Sequence, residues 1–270
     1  MHKILTAGVR GGDKHPGSFR DVPVFIGGPG GLDSARFVPP PAGEVDRCMV
    51  RLEKFINTDL HGLPQLVSIA MAHYQFECIH PFRDGNGRVG RLVAALSLCK
   101  GPGALTSRPL VYLSGYIDKH RREYYDGLLR VSTHGDWRSW VEYFLVAVAS
   151  QAEDTVARIG NVLDLRQEFV ALVTEPRSSP VLLKVIDLLF RKPAVTAPLV
   201  AKELGVRVQV AQRYIDRLAL KGIIQEATGA AYGRVWVARR LLEIIESDEP
   251  MLTARPTPRR LRAARARPRA

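Results

Sequence analysis

The segment of the chain with the most chemical potential is residues 80–91, HPFRDGNGRVGR. It combines an imidazole, a carboxylate, an amide side chain, three glycines and three arginines. Apolar periodicity on both sides predicts buried helices, so the segment should be a loop that opens the second of them. Glycines at a helix start allow a ligand to approach free backbone N–H groups, and such groups bind anions. The segment therefore predicts an anion site.

The charged side chains of this segment fit phosphate chemistry. Arg88 and Arg91 share one helical face, and two guanidiniums beside backbone amides favour a polyphosphate over a single carboxylate. Asp84 would repel phosphates unless a cation lay between them, and Mg²⁺ held by one carboxylate and phosphate oxygens resolves this conflict. His80 precedes the loop, where a neutral imidazole can take a proton from an attacking hydroxyl. Together these groups predict transfer of a phosphorus group from a nucleotide to a hydroxyl.

Helical patterns position this segment. An apolar stripe over residues 45–56 predicts an amphipathic helix. Pro64 suits the first turn of a helix that runs to about Ile79 and should be buried, because it is apolar on most sides. Phe82 has no evident chemistry and is predicted to pin the loop to the core. Asp136 is predicted to cap a long helix that continues to about residue 173.

The remaining patterns give the organisation of the chain. Residues 1–43 are rich in Gly and Pro, and two short extended pieces around a glycine turn predict a β-hairpin or an irregular flap. The stretch 118–131 predicts one amphipathic helix. The break EPRSSP at 175–180 predicts a linker. The pattern beyond it is helix, glycine turn, helix and two short strands around a Gly-rich tip, which is typical of a winged helix-turn-helix domain.

Within this second domain, three residues of one helix are predicted to face the core, namely Ala211, Ile215 and Leu218. The residues predicted to face outward, where a recognition helix would read a DNA major groove, are Arg207, Gln209, Gln212 and Arg213. Nearby acidic residues weaken the basic face, so docking to a protein or homodimerisation is an equal alternative. The last twenty residues hold seven arginines and no acid. A solubilising terminus is the more common role of such a tail, and an arm for nucleic acid or an acidic partner is the alternative. For the winged helix, the tail favours nucleic acid slightly over protein docking.

Bulk properties restrict the class of protein. A length of 270 residues suits roughly two domains, and 46% apolar residues support a sizeable core. Three scattered cysteines are too few for a disulfide framework, and the sequence has neither a secretory signal nor a run of ~18 apolar residues. We therefore expect a cytoplasmic protein with no membrane span. The predicted domains are an N-terminal segment with the flap (1–43), a mostly α-helical catalytic core (44–174), a winged helix-turn-helix domain (175–248) and a basic disordered tail (249–270).

The segment 80–91 resembles the motif of the Fic (Fido) family, HPF-x-[D/E]-G-N-G-R-x-x-R, and matches it at all nine specified positions. The similarity extends over roughly residues 1–165. The pieces FIGGPGG and ARFVPPP resemble the family's flap, which aligns a target polypeptide by main-chain pairing. The stretch 113–128, LSGYIDKHRREYYDGL, resembles its nucleotide-side helix. The resemblance implies a mostly α-helical Fic core with a β-hairpin flap.

The resemblance also implies an activity, the Mg²⁺-dependent transfer of AMP from ATP to a Ser, Thr or Tyr hydroxyl of a target protein. His80 would act as the general base, and Asp84 would bind the Mg²⁺ that bridges two phosphates. The residues that the resemblance assigns to the nucleotide are Gly85, Asn86, Gly87, Arg88, Arg91, Tyr116 and Tyr125. His120 stands where the family often has Asn, which leaves the identity of the nucleotide open.

Several alternatives follow from the same resemblance. Fic folds also transfer UMP, phosphate or phosphocholine, and some remove AMP. A DNA-binding regulator whose Fic core only senses a nucleotide is the alternative from another class. Many Fic proteins carry an inhibitory [S/T]-x-x-x-E-[G/N] helix whose Glu pairs with the second motif arginine, here Arg91. No Glu in this chain precedes Gly or Asn, so we expect either that its start lies inside a longer gene or that a separate partner protein supplies the inhibition.

Overall fold

The computed structural model describes residues 1–8, 14–28, 32–58, 62–100, 108–174, 180–230 and 232–247. The chain divides into two compact units, and the division falls between Thr155 and Val156. The basic tail at 249–270 and most of the linker at 175–180 lie outside the described residues. The domain bounds given above remain predictions. Within the described part of the chain, no helix is both long enough and apolar enough to cross a membrane.

The first unit is built from helices. In chain order they are α1 (His2–Leu5), α2 (Val45–Asn57), α3 (Gln65–Ile79), α4 (Asn86–Ser97), α5 (Leu113–Lys119), α6 (Arg121–His134) and the first part of α7 (Trp137–Val173). Asp136 caps α7 as predicted, because its Oδ1 accepts a hydrogen bond of 3.1 Å from the Ser139 N–H.

Helix α3 lies at the centre of the first unit, and its nearly uniform apolar surface explains why. One side packs Phe76 and Ile79 into a cluster with the stripe of α2. Another side contributes Ile69 and Ala70 to a second cluster, around the fully buried Trp140 of α7. The indole N–H of Trp140 donates to the Ala70 carbonyl at 2.9 Å, so this large side chain is buried without an unpaired donor. Burial on both sides gives the loop after α3 a rigid support.

The prediction of one continuous helix over 118–131 is wrong, because the segment is divided between two helices. The chain forms two helices, α5 and α6, which are separated at His120, where φ is −112° and ψ is 39°. The Tyr124 N–H still donates to the His120 carbonyl at 3.0 Å, so α6 begins directly at the break. The sequence holds no glycine or proline at this position, and periodicity alone therefore did not reveal the break.

The flap is present as a short antiparallel pairing between residues 26 and 37. The Ile26 N–H donates to the Phe37 carbonyl at 2.9 Å, and the Phe37 N–H returns a bond of 3.1 Å. Arg36, beside this bridge, forms an ion pair with Asp126 of α6. Of the two predicted alternatives, the irregular flap describes this arrangement better than a regular β-hairpin.

The described part of the second unit begins with the end of α7 and continues with four further helices and a small sheet. In chain order these are α8 (Val181–Arg191), β1 (Ala194–Val195), α9 (Ala197–Leu204), α10 (Val208–Leu220), β2 (Gln225–Glu226), β3 (Trp236–Val237) and α11 (Arg239–Glu246). The strands pair antiparallel in the order β1-β3-β2. Strand β1 was not predicted, since two residues are too few to show an alternating pattern. Gly205 ends α9 at φ +65°, a left-handed conformation that suits glycine.

The core of the second unit confirms the predicted inner face of α10. Ala211, Ile215 and Leu218 are fully buried there. The same cluster includes Leu165 and Phe169 of α7, which the sequence analysis had assigned to the catalytic core.

Candidate active site

The loop that carries the motif begins and ends with left-handed residues. His80 ends α3 with φ 48° and ψ 60°, and Gly85 precedes α4 with φ 81°. A positive φ is uncommon for a residue other than glycine and marks a conformation that its surroundings enforce. These two turns bring the His80 imidazole to the start of α4, whose first backbone N–H groups have no partner within the helix.

Asn86 closes the loop from inside. It is buried, and its side-chain amide donates to the Phe82 carbonyl and accepts from the Phe82 N–H, both at 2.8 Å. These bonds use both ends of the amide group. The backbone N–H of Asn86, at the start of α4, has no acceptor within the helix.

Phe82 pins the loop to the core as predicted, and His2 assists it. The His2 ring stacks on Phe82 at a centroid distance of 3.9 Å. Its Nδ1 accepts from the Gly17 N–H at 2.8 Å, and its Nε2 lies 2.9 Å from the Asp84 carbonyl. Because Nδ1 accepts, Nε2 carries the hydrogen and donates to Asp84. Sequence reasoning gave His2 no role, since nothing near it in the chain resembles a motif.

The His80 imidazole is held as a neutral base. Its Nδ1 lies 3.4 Å from the Glu77 carbonyl, and a carbonyl can only accept, so Nδ1 carries the hydrogen and Nε2 keeps its lone pair. Burial, with a smaller contribution from the positive charge of Arg20, lowers the pKa of His80 to about 4, while the hydrogen bond to the Glu77 carbonyl and the charge of Asp84 act in the opposite direction. The imidazole is therefore neutral at neutral pH and can accept a proton.

The two motif arginines lie on the same side of α4, as their spacing predicts. Arg91 donates from Nε to the Ser114 hydroxyl of α5 at 2.7 Å, which fixes the direction of its guanidinium. Arg88 Nη2 lies 4.0 Å from Asp84 Oδ1. Ser114 was missed by sequence reasoning, because a single serine in a short helix carries no recognisable signal.

Asp84 is placed to hold a hard cation. Its Oδ1 accepts from the Gly85 N–H at 2.6 Å, and the side chain is about one-third exposed. A partly exposed carboxylate beside an anion site fits Mg²⁺, which commonly takes one or two carboxylates and completes its shell with phosphate oxygens and water.

A cavity of about 140 Å³ opens beside these residues. The motif contributes His80, Gly87 and Arg91 to its wall, and Tyr125 of α6 also lines it. The apolar residues of the wall come from the flap and from α6, and they are Ile26, Phe37, Leu128 and Leu129. A cavity with a cationic end and an apolar end suits a ligand that carries both phosphates and an aromatic base.

The structure does not bring Tyr116 into this cavity. Its ring stacks on His120 at 4.2 Å and meets Tyr143 edge-on at 5.8 Å. Neither Tyr116 nor His120 is among the residues that line the cavity. The assignment of Tyr116 to the nucleotide remains a prediction from the resemblance.

Glu77 is a buried acid beside the site that sequence reasoning did not notice. Burial raises its pKa to about 7, and the nearby charge of Arg91 opposes this shift. Its Oε1 has no hydrogen-bond partner among the described residues. A β-carbon on Gly90 would lie 2.3 Å from this oxygen and 3.0 Å from the Phe76 ring. Gly90 is therefore the residue that leaves room for the Glu77 carboxyl between α3 and α4.

The Gly90→Ala variant should consequently be less stable than the wild type. Alanine favours a helix over glycine by ~1 kcal/mol, but overpacking a well-filled core typically costs ~1–3 kcal/mol. Because a contact of 2.3 Å cannot be relieved without moving a buried carboxyl, we expect net destabilisation. Urea unfolding followed by circular dichroism measures it. The matched control is Gly43→Ala, since a β-carbon there meets nothing within 4 Å; equal unfolding curves for the two variants would contradict this packing.

The outward-facing residues predicted on α10 are where the sequence places them. Arg207, Gln209 and Arg213 are exposed at the start of the helix. Gln212 is half-buried and donates to Asp216 at 2.7 Å, which leaves a less basic face than the arginines alone would give.

Two family models match separate segments of the chain. Residues 1–98 match the family model described as Fic/DOC family, and residues 182–237 match the model described as HTH DNA binding domain. Similar curated proteins include a protein adenylyltransferase Fic from Culex quinquefasciatus, 35% identical over 128 residues, and one from Drosophila grimshawi, 32% identical over the same length. The match covers 47% of this chain and only 22–23% of those proteins.

A solved structure is also similar, a Fic family protein from Desulfovibrio desulfuricans G20. It is 21% identical, with a TM-score of 0.48, and the match covers 88% of this chain and 66% of that chain.

This chain thus carries a Fic/DOC domain followed by a helix-turn-helix domain. The predicted fold class, mostly α-helical with a small winged helix-turn-helix domain, is confirmed, and the resemblance to the Fic family is confirmed for residues 1–98.

Proposed function

We propose that this protein transfers AMP from ATP to a Ser, Thr or Tyr hydroxyl of a target protein. The observation that carries the proposal is the neutral His80 imidazole at the edge of a cavity whose wall also holds Gly87 and Arg91 at the start of α4. A base, an anion site and an apolar pocket are what nucleotidyl transfer to a hydroxyl requires. The similar proteins named protein adenylyltransferase support the same reaction.

The chemical step assigns a role to each of these groups. Nε2 of His80 takes the proton of the target hydroxyl as its oxygen forms a bond to the α-phosphorus of ATP. The bond between that phosphorus and the bridging oxygen breaks, and pyrophosphate leaves with the bonding electrons. The N–H groups of Asn86 and Gly87 hold phosphate oxygens, since the Gly85 N–H already donates to Asp84 Oδ1. The guanidiniums of Arg88 and Arg91 stabilise the charge that develops on the leaving group.

Asp84 would hold Mg²⁺ against the phosphates. The ion, when bound, would neutralise phosphate charge and so permit a carboxylate beside an anionic ligand. The backbone bond between Asp84 Oδ1 and Gly85 orients this carboxylate before any ligand arrives.

The flap is proposed to present the target. Its residues 26 and 37 pair with each other by main-chain bonds, and an extended target segment would add to an edge of this pairing.

The three cysteines are free and half-buried, which supports a reducing cytoplasm as the location. Restraint of the activity by a separate protein stays part of the proposal.

The mass added to a modified protein tests the reaction type. The purified chain is incubated with Mg²⁺ and with ATP or UTP in turn, and intact-mass spectrometry records the product. Addition of AMP from ATP is the expected outcome, whereas addition of UMP, addition of phosphate alone or loss of a preexisting AMP would each identify a different Fic reaction.

A second candidate function is DNA binding, which the match of residues 182–237 to a DNA-binding helix-turn-helix domain favours. In this case the Fic domain would sense a nucleotide for a regulator. The exposed Arg207 and Arg213 at the start of α10 are the residues placed to contact a duplex.

Substitution of Arg213 separates this candidate from protein docking. If α10 lies in a groove and Arg213 reads a base, Arg213→Ala should weaken the free energy of DNA binding by about 1–3 kcal/mol. If Arg213 contacts a phosphate instead, the variant should lower the slope of log affinity against log salt concentration by about 1. Fluorescence anisotropy of the full chain on duplex DNA at several salt concentrations measures both. Arg191→Ala, an exposed arginine at the end of α8, is the control; equal losses in the two variants would indicate nonspecific charge attraction.

A further inference from the structure

Arg20 is a buried arginine whose recorded partners are main-chain carbonyls. The residue is only 3% exposed. Its Nε donates to the His80 carbonyl at 2.9 Å, its Nη1 to Val22 at 3.2 Å, and its Nη2 to Pro40 at 2.5 Å and to Ile79 at 3.3 Å. Its own backbone N–H donates to the Pro81 carbonyl at 2.8 Å. Every nitrogen of the guanidinium is thus used.

These acceptors belong to two different parts of the site. Ile79 and His80 form the end of α3, where the proposed general base stands. Val22 and Pro40 lie on the two sides of the flap, outside the bridge between residues 26 and 37. A single rigid, planar group therefore connects both ends of the flap to the residue that carries the base. The main-chain carbonyls at the end of α3 would otherwise be partly unpaired in a buried place.

We infer that Arg20 is a positioning residue that fixes the flap relative to His80, so that the hydroxyl of a paired target polypeptide lies within reach of the imidazole. This inference rests on the proposed function. A flap that pairs with the target main chain sets where the target side chain points. A small displacement of the flap from the base would therefore separate the hydroxyl from its proton acceptor without disturbing the phosphate site on α4.

Arg20 also acts on His80 through its charge. The charged groups that influence His80 are Arg20, which disfavours the imidazolium, and Asp84, which favours it. Removal of the Arg20 charge should raise the pKa of His80. As the pH is lowered, the imidazole of the variant would then become protonated at a higher pH than that of the wild type. An arginine that supported the flap without lying beside His80 would not change this titration.

Two substitutions separate geometry from charge. Arg20→Lys keeps the charge but cannot reach four carbonyls, and Arg20→Gln loses both. Auto-modification of the full chain with α-labelled ATP and Mg²⁺ measures the rate at saturating ATP, calorimetry measures ATP affinity, and circular dichroism measures the melting temperature. Arg138→Gln, which removes an exposed arginine that forms an ion pair with Glu142 on α7, is the control.

We expect both Arg20 variants to lose roughly 10²-fold in rate, the loss that a displacement of about 1 Å can cause. ATP affinity should be unchanged. The acid limb of the pH–rate profile should move to higher pH in Arg20→Gln and stay in place in Arg20→Lys. If the Gln variant fails to fold, the rate and affinity of the Lys variant decide the question.

Two results would overturn the inference. One is a wild-type rate in both variants, and the other is a loss of rate that is matched by an equal loss of ATP affinity. If the wild-type chain itself acquires no label from ATP, that result contradicts the proposed function and not this inference, and it is seen before any variant is compared.

Discussion

The His80→Ala variant is expected to lose AMP transfer almost completely. Removal of a general base typically costs ~10²–10⁴ in rate, and no other neutral imidazole lines the cavity among the described residues. Nucleotide binding should remain, because the phosphates are proposed to lie on backbone amides and on the guanidiniums of Arg88 and Arg91 rather than on the imidazole. Rates with α-labelled ATP, together with calorimetric ATP affinities, measure both quantities.

The backbone of His80 requires a second variant. Its φ of 48° is strained for alanine, whereas asparagine tolerates the left-handed region better. His80→Asn should therefore be as inactive as His80→Ala but closer to the wild type in melting temperature. His134→Ala, an exposed histidine at the end of α6, serves as the control. Full activity in His80→Asn would show that the assigned base is wrong.

The Asp84→Ala variant should lose its response to Mg²⁺ together with its activity. Asp84 is the carboxylate proposed to hold the ion against the phosphates, so without it the ion would lose this protein oxygen. The expected result is a rate near background that does not rise when Mg²⁺ is titrated at fixed ATP. The backbone bond from Gly85 is also lost, so the melting temperature is measured alongside.

Asp84→Glu is the matched variant, since it keeps a carboxylate and the family motif accepts either acid. It should retain a Mg²⁺-dependent rate, although a longer side chain places the oxygens differently. If Asp84→Ala kept the wild-type dependence on Mg²⁺, the assignment of this residue to the metal would be contradicted.

The residues that sequence reasoning found are those whose chemistry is concentrated in one short segment. Within 80–91, the residue types alone predicted a base, an anion site and a metal carboxylate, and the structure brings His80, Gly87 and Arg91 to one cavity. Phe82 could be predicted as a pin, because an aromatic residue without chemistry in such a loop is best explained by packing.

Other contributors could not be found in this way, because their contacts connect positions far apart in the chain. Arg20 contacts carbonyls around residues 79–80, and His2 contacts the carbonyl of Asp84, 82 positions away. Carbonyls occur at every residue and give no sequence signal. The break at His120 and the strand β1 were missed for a related reason, since neither has a glycine, a proline or a run long enough to show a period.

The fate of the two ends of ATP tests the central claim most directly. The full chain is incubated with Mg²⁺ and a cell lysate, once with ATP labelled at the α-phosphorus and once with ATP labelled at the γ-phosphorus, beside His80→Asn in each case. Nucleotidyl transfer predicts that protein acquires the α-label but no γ-label, and only with an intact His80. Transfer of the γ-label to protein, or equal α-labelling with His80→Asn, would contradict the account.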